Sequence, residues 1–379
     1  MEKSISIYIH MPWCIHKCPY CDFNSHESSL SKISSEQDIY VDSLILESFQ
    51  LKKYLKNKKI ISIFFGGGTP SLISPHLIDK IISYLTKEYS LSHSCEITLE
   101  ANPGGVDKSH FKEYAQVGIN RISLGIQSFN DHFLKELERI HTANEAKLAI
   151  DEVRKYFDNF NIDLMFALPN QNLLELENDL DTLFSYEPKH ISYYHLTIEP
   201  QTRFAKNVPN LPPSELADEM YELIIQKTRS LGYFHYETSA FARDNYQSIH
   251  NKNYWHYGDY IGLGAGAHSK ITHHNKIFRF ENTKNPKTYI QEVQKNSSKN
   301  LSQIPQQELP FEFMLNAFRL IEGFEVSEFS KTTFLDFDVI KKNVDILVKK
   351  GFINFDNNFI KPTELGQRFQ NNLIEQFLN

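Results

Sequence analysis

Three of the chain's four cysteines fall in one short run, Cys14-Ile-His-Lys-Cys18-Pro-Tyr-Cys21. The C-x3-C-x2-C spacing can bring three thiolates from one tight loop to a single metal centre. A disulfide framework would spread its cysteines, and structural free thiols are normally buried and scattered. Two centres suit the motif. One is zinc, with His10, His16 or His26 as fourth ligand. The other, the leading reading, is a [4Fe–4S] cluster on three thiolates, which leaves one iron open to bind a further group. Cys95 stands apart and reads as a small buried residue.

Such a loop needs a scaffold. Six short apolar runs, at 4–9, 60–65, 96–100, 121–126, 161–166 and 190–196, read as strands. Amphipathic stretches at 37–55, 75–89, 108–117, 143–157, 173–184 and 213–231 read as helices between and after them. Six strand–helix alternations predict a parallel sheet with right-handed crossovers. The unusual residues cluster where strands end: the cysteine loop after strand one, Gly66-Gly67-Gly68-Thr69-Pro70 after strand two, Glu100-Ala-Asn-Pro-Gly after strand three, and Gly125-Ile-Gln127-Ser after strand four. Asp163 lies within strand five and His195 in strand six. Chemistry at the carboxyl ends of consecutive strands predicts a partial β/α barrel over an open doubly wound sheet. Beyond Gly232 come a further strand at 233–238, a stretch dense in aromatics and His at 241–280, and a polar linker at 296–307. Helices at 308–320, 340–350 and 363–377 and a hairpin around 351–361 predict a small α+β, winged-helix-like module.

The chain has 379 residues, 41% hydrophobic and 23% charged, with Asp plus Glu exceeding Lys plus Arg by 7. That composition is ordinary for a globular protein. The acidic balance argues against nucleic acid as a partner. No apolar run reaches the ~18–20 residues of a membrane helix, and residues 3–10 alternate apolar and polar rather than forming a signal peptide. A cytoplasmic protein is expected, with contact to membranes at most transient and at the surface.

The cysteine motif after a first strand resembles the radical S-adenosylmethionine superfamily. Within it, Tyr8-Ile-His-Met-Pro-Trp-Cys14 and Cys21-Asp-Phe-Asn-Ser25 resemble the oxygen-independent coproporphyrinogen III dehydrogenase (oxidase) group and, more narrowly, its HemW haem-chaperone branch. The likeness runs through 66–70, 100–103, 125–130 and 163–169 into the C-terminal module. It implies a radical SAM core over 1–240, a connecting segment with a haem motif over 241–300, and the C-terminal module over 301–379. It also implies that the amino and carboxylate groups of S-adenosylmethionine chelate the open iron, so that an electron can cleave the sulfonium. By resemblance, Tyr8, Gly67, Gly68, Thr69, Glu100, Gln127, Arg139 and Asp163 match cofactor-contacting positions, and Tyr20 flanks the cluster. Taken alone, the glycines could be a tight turn with N–H groups aimed at a carboxylate. Glu100 could be a strand-end carboxylate, Tyr8 a barrel-end aromatic, and Arg139 a solvated helix residue.

His250-Asn-Lys-Asn-Tyr254-Trp255 fits H-N-x-x-Y-W, which resembles the branch's haem-binding signature. His can supply an axial nitrogen to haem iron. Tyr254 and Trp255 offer flat faces to a porphyrin. The plain alternative is an aromatic core strand with an incidental His; His256, His268 and the His273–His274 pair compete as ligands. Two departures separate the chain from the dehydrogenase: Phe23 stands where that enzyme has a further cysteine, and strand one starts almost at Met1, without the enzyme's N-terminal extension. The expectation is a haem chaperone that delivers haem to apo-haemoproteins, respiratory ones among them, with a cluster and S-adenosylmethionine acting structurally or through redox, for instance in pairing two copies. The alternatives are a radical dehydrogenase of porphyrinogen propionates and a zinc-stabilised binding module. Whether the chain is an enzyme at all is left open by its sequence.

Overall fold

The structure, a computed structural model, describes residues 3–104, 110–297 and 299–378. Six strands lie side by side in sequence order and all parallel: β1 (Lys3–Met11), β2 (Lys58–Gly67), β3 (Ser90–Ala101), β4 (Arg121–Gln127), β5 (Phe160–Phe166) and β6 (His190–His195). Helices α1 (Leu30–Gln50), α2 (Pro75–Glu88), α3 (Phe111–Gln116), α4 (Ala143–Val153) and α5 (Leu173–Ser185) make the crossovers, and α6 (Ser214–Ser230) follows β6. The start of the helix expected at 108–117 lies outside the described residues. This is the expected partial (βα)6 barrel.

Strand alternation sorts the side chains by face. Ile7, Ile63 and Ile97 form one outward row, and Leu124, Ile162 and Ile191 another. None is more than 7% exposed, because the helices cover them. Each such burial contributes about 1.5–3 kcal/mol. The inward rows are polar: Ser6–Ser62–Glu96, Ser123–Asn161–His190 and Gly125–Asp163–Ser192. A core of purely structural purpose would not fill its lumen this way.

The sheet continues on both sides. β7 (Phe234–Glu237) and β8 (Ala240–Ala242) run antiparallel beyond β6, in the order β6–β8–β7. After α7 (Ile249–Trp255), β9 (Tyr260–Leu263) joins β1 in parallel. Then β10 (His268–His273), β11 (Lys276–Glu281) and β12 (Ser302–Gln303) extend that edge. The segment 241–300 is thus woven into the barrel sheet. Its aromatic stretch, with a core strand as the plain alternative at His250, is helical there because Ser248 caps α7, its side chain accepting from Asn251 N–H.

The C-terminal module has its own core around Phe313, Phe324, Phe329, Val344 and Ile360. It comprises α8 (Leu309–Ala317), α9 (Val326–Thr333), α10 (Asp338–Lys349) and a three-stranded sheet of Phe324–Glu325, Phe359–Pro362 and Ile353–Asp356. The last expected helix is broken into Glu364–Arg368 and Gln370–Glu375. α1 also starts seven residues before its expected position: Ser29 caps it, accepting from Lys32 N–H, and the polar run at 31–36 hides that start.

Glu47 of α1 fastens the β9 edge to the barrel. Fully buried, it accepts from Gly264 N–H (3.0 Å), Tyr289 Oη (2.7 Å) and Lys299 Nζ. Glu47→Ala leaves Gly264 N–H and Tyr289 Oη without their acceptor and the Lys299 ammonium with only Asn282 Oδ1, and chemical denaturation should show a stability loss of about 3–5 kcal/mol. A loss below roughly 1 kcal/mol, the worth of an exposed pair, would contradict this role.

Candidate functional site

The cysteine loop is clamped at both ends. Trp13–Cys14 pairs with His26–Glu27, His26 N–H donates to Pro12 O (2.6 Å), and Ser28 N–H donates to Cys14 O (2.8 Å). From outside, Phe204 N–H donates to Pro19 O (3.0 Å) and Arg203 donates to Lys17 O (2.6 Å). Cys14, Cys18 and Cys21 are all half-buried. Burial pushes the Cys14 and Cys21 thiols up, so without a metal they resist ionising.

The donor set fits a cluster better than zinc. The three histidines of the zinc reading are engaged elsewhere. His10 donates through Nε2 to Asn24 O (2.9 Å) and accepts at Nδ1 from Tyr8 Oη (3.0 Å). His16 faces Glu138 (3.0 Å) and Glu27 (3.4 Å), and His26 donates to Lys284 O (3.2 Å).

Arg139 stands beside the loop. Its Nη1 donates to Cys18 Sγ (3.5 Å), and its Nη2 donates to Asn102 Oδ1 (2.6 Å) and Gly125 O (2.7 Å). It is therefore half-buried and held, not a solvated helix residue. Thr69 donates to Cys14 Sγ (3.5 Å) and accepts from Asn102 Nδ2 (3.1 Å). Burial raises the Tyr20 hydroxyl, and the nearby Arg139 charge opposes that shift. A shallow cleft opens here, lined by His16, Cys18, Thr69, Asn102 and Arg139 among others.

The glycines act differently from one part of the sequence reading. The N–H groups of Gly67, Gly68 and Thr69 are not offered to a ligand carboxylate. They donate to Glu100 Oε2 (3.2 Å), Met11 O (2.7 Å) and Trp13 O (2.8 Å). The lack of side chains serves close packing. A Cβ on Gly67, where φ is +110°, would lie 2.4 Å from the His10 ring, and one on Gly68 would lie 2.5 Å from Trp13 O.

Deeper in the lumen, Glu100 and Asp163 lie near each other. Burial pushes the Glu100 carboxyl up to about 8, and the Asp163 charge adds to the shift. Burial also raises Asp163, against hydrogen bonds from Asn161 (2.7 Å) and Ser123 (3.0 Å). Gln127 ends β4 with φ of +71°, at a register shift against β5. Such strain on a non-glycine residue costs about 1–3 kcal/mol and marks site geometry. Two carboxyl groups inside, near the buried Arg121 guanidinium, and a second guanidinium at the mouth suit a ligand with cationic and carboxylate ends.

The H-N-x-x-Y-W residues do not converge on one open face. α7 lies at the amino-end floor of the barrel, away from the cysteines. Glu96 accepts from Ile249 N–H (3.1 Å) and His250 N–H (3.0 Å). His250 and Tyr254, four apart, share the barrel side of the helix. Trp255 takes another face, with the Arg319 guanidinium 5.0 Å from its ring. His256 meets Glu328 of the C-terminal module (2.8 Å).

Asn102, Asn161, Phe64 and Glu96 shape this interior and were not among the sequence-derived site residues. The signal was present for Asn161 and Glu96, polar side chains at inward positions of otherwise apolar strands, and for Asn102, which directly follows β3.

A family model described as the radical SAM superfamily matches residues 8–183, and a HemN C-terminal domain model matches 304–369. The chain is 43% identical to the heme chaperone HemW of Haemophilus influenzae over 99% of this chain and 98% of that protein. It is 40% identical to HemW of Escherichia coli over the same shares. Among solved structures, the E. coli coproporphyrinogen III oxidase HemN, a radical SAM enzyme, superposes with a TM-score of 0.83 at 21% identity, covering 99% of this chain and 90% of that one. That likeness establishes the fold: a partial radical SAM barrel carrying a HemN-type C-terminal domain. The chain belongs to the HemW family.

Proposed function

We propose that this protein is a haem chaperone, working in the cytoplasm, that binds haem and passes it to apo-haemoproteins, respiratory ones among them. The observation that carries the reading is the 40–43% identity to haem chaperones along essentially the whole of both chains. Phe23 is consistent with it. The side chain two residues past Cys21 is 57% exposed at the cluster loop, where a porphyrinogen-decarboxylating enzyme would place another thiol.

The reading assigns a [4Fe–4S] cluster to Cys14, Cys18 and Cys21 and S-adenosylmethionine to the barrel mouth. When bound, the cluster would chelate the cofactor's amino-acid end and supply it an electron. The chain's own residues position and shield that pair. Arg139 meets negative charge beside Cys18, and Thr69 steadies the Cys14 sulfur. Glu100 and Asp163 hold the cationic part, Tyr8 walls one side, and Gln127 lines the opposite strand end. Pairing of two copies through a redox change at the cluster belongs to the same reading. Haem does not fit His250 while α7 closes the barrel floor. His268, 62% exposed, with His256 and the His273–His274 pair, makes up the remaining candidate ligands for haem.

Anaerobic haem titration of cluster-reconstituted protein should give saturable, stoichiometric binding by absorption. Absence of specific binding, together with conversion of coproporphyrinogen III to protoporphyrinogen under reducing conditions, would replace this reading with the dehydrogenase. Cys18→Ser should abolish the iron and sulfide content and the brown colour. Tight zinc in the wild type instead would overturn the cluster.

Glu100 makes cofactor binding depend on pH. A carboxyl with a value of about 8 is largely protonated at neutral pH. A cation beside it favours the carboxylate, so binding expels the proton. Calorimetry should therefore show affinity for S-adenosylmethionine rising towards a limit of ~tenfold per pH unit below about 8 and levelling above it. Glu100→Gln should remove that share of the slope. An unchanged slope in the variant would show that Glu100 does not face the cofactor.

A further inference from the structure

We propose that His250 and Tyr254 are positioning residues for the S-adenosylmethionine site: they form a floor on which Phe64 and Tyr8 stack beneath Gly66 and Glu100. The inference rests on the reading of the barrel mouth given above.

The imidazole is committed on both nitrogens. Ser62 donates to Ser6 Oγ (2.7 Å), so its own oxygen accepts from His250 Nδ1–H (2.9 Å). Nε2 then accepts from the Tyr254 hydroxyl (3.0 Å). The lone pair that an iron would need is occupied by that hydroxyl, and the residue is only 2% exposed. An axial ligand must present an open lone pair to a flat porphyrin face. Here the helix would first have to leave the barrel, giving up the Glu96 bonds to Ile249 and His250 N–H.

What the ring does instead can be followed upward. His250 lies nearly parallel to Phe64, centroids 4.9 Å apart and planes 26° apart. Phe64 stacks on Tyr8 in turn (6.3 Å, 24°), and Tyr8 is fixed by its bond to His10. The space above is full. A Cβ on Gly66 would lie 2.9 Å from the Phe64 ring, 3.0 Å from Tyr8 and 3.2 Å from Glu100. Close-packed interiors transmit a displacement rather than absorb it. Removing the imidazole lets Phe64 sink, and Tyr8 and Glu100 lose their setting. From below, Trp255 and His256 fasten the same helix to Arg319 and Glu328, so the C-terminal module fixes the floor's height.

The test uses full-length, cluster-reconstituted protein as wild type, His250→Ala, His250→Phe and Tyr254→Phe. S-adenosylmethionine affinity is read by calorimetry, and haem binding by absorption and electron paramagnetic resonance. Loss of the floor should weaken the cofactor about tenfold in His250→Ala, the scale expected of a displaced site. Cluster content, haem stoichiometry and haem spectrum should stay those of the wild type. His250→Phe keeps a ring under Phe64 and should restore most of the affinity. Tyr254→Phe removes one hydroxyl, should fold even if the alanine variant does not, and should weaken the cofactor less than alanine does. Equal cofactor affinity in all four proteins overturns the inference alone. So does a changed haem spectrum in both His250 variants, which would make the residue an iron ligand. A wild type that binds haem but no S-adenosylmethionine overturns the reading of the site, and the inference with it.

Discussion

Alternation along six parallel strands governs this molecule. One face of the strands is largely aliphatic and sealed under helices; the other is largely polar, with Tyr8 and Phe64 among its aromatic parts, and turned into an incompletely closed lumen. Many of the lumen's polar groups satisfy one another, while Thr98 Oγ1 and Arg121 Nε are buried without a hydrogen-bond partner. His190 sits between Asn161 (2.6 Å) and Tyr236 (2.8 Å), Asn161 also donates to Ser123 and Asp163, and Glu96 takes the N–H groups of α7. Leaving such groups unpaired would cost about 1–3 kcal/mol each. The network instead becomes a lining that holds Glu100 and Asp163 deeper in the lumen.

That lining explains how much of the fold can be read from sequence. The outward rows are runs of Ile, Leu and Phe, which announce strands, and the crossover helices carry apolar residues at helical spacing. The order of elements follows from chain connectivity. What the sequence hides is pairing between distant segments. That β9 joins β1, and that residues 241–300 extend the barrel sheet, depends on Ser6 to Ile9 finding Tyr260 to Leu263. No local pattern encodes that register.

The site was legible to a similar depth. The cysteine loop, Glu100 and Asp163 lie at strand ends or inward positions, where residue type and location agree, while Arg139 reaches Cys18 from the turn after the 131–136 helix. The glycines were harder. Their spacing signals close approach, but only the coordinates show that the approaching groups are His10 and Trp13, and that the N–H donors are spent within the protein. The H-N-x-x-Y-W run was harder still. A helix of seven residues distributes His250 and Trp255 over different faces, so a motif that reads as one aromatic platform becomes a joint between barrel floor and C-terminal module.

A chaperone must release its cargo to another protein, and that step separates the account from every alternative. The direct measurement is anaerobic stopped-flow mixing of the haem-loaded, cluster-reconstituted protein with an apo-b-type cytochrome. Haem captured by an apomyoglobin scavenger gives the rate of passive release. The account predicts that the holo-cytochrome spectrum appears faster than passive release, at a rate that rises with cytochrome concentration. Transfer limited to the passive rate, whatever the acceptor, would contradict it.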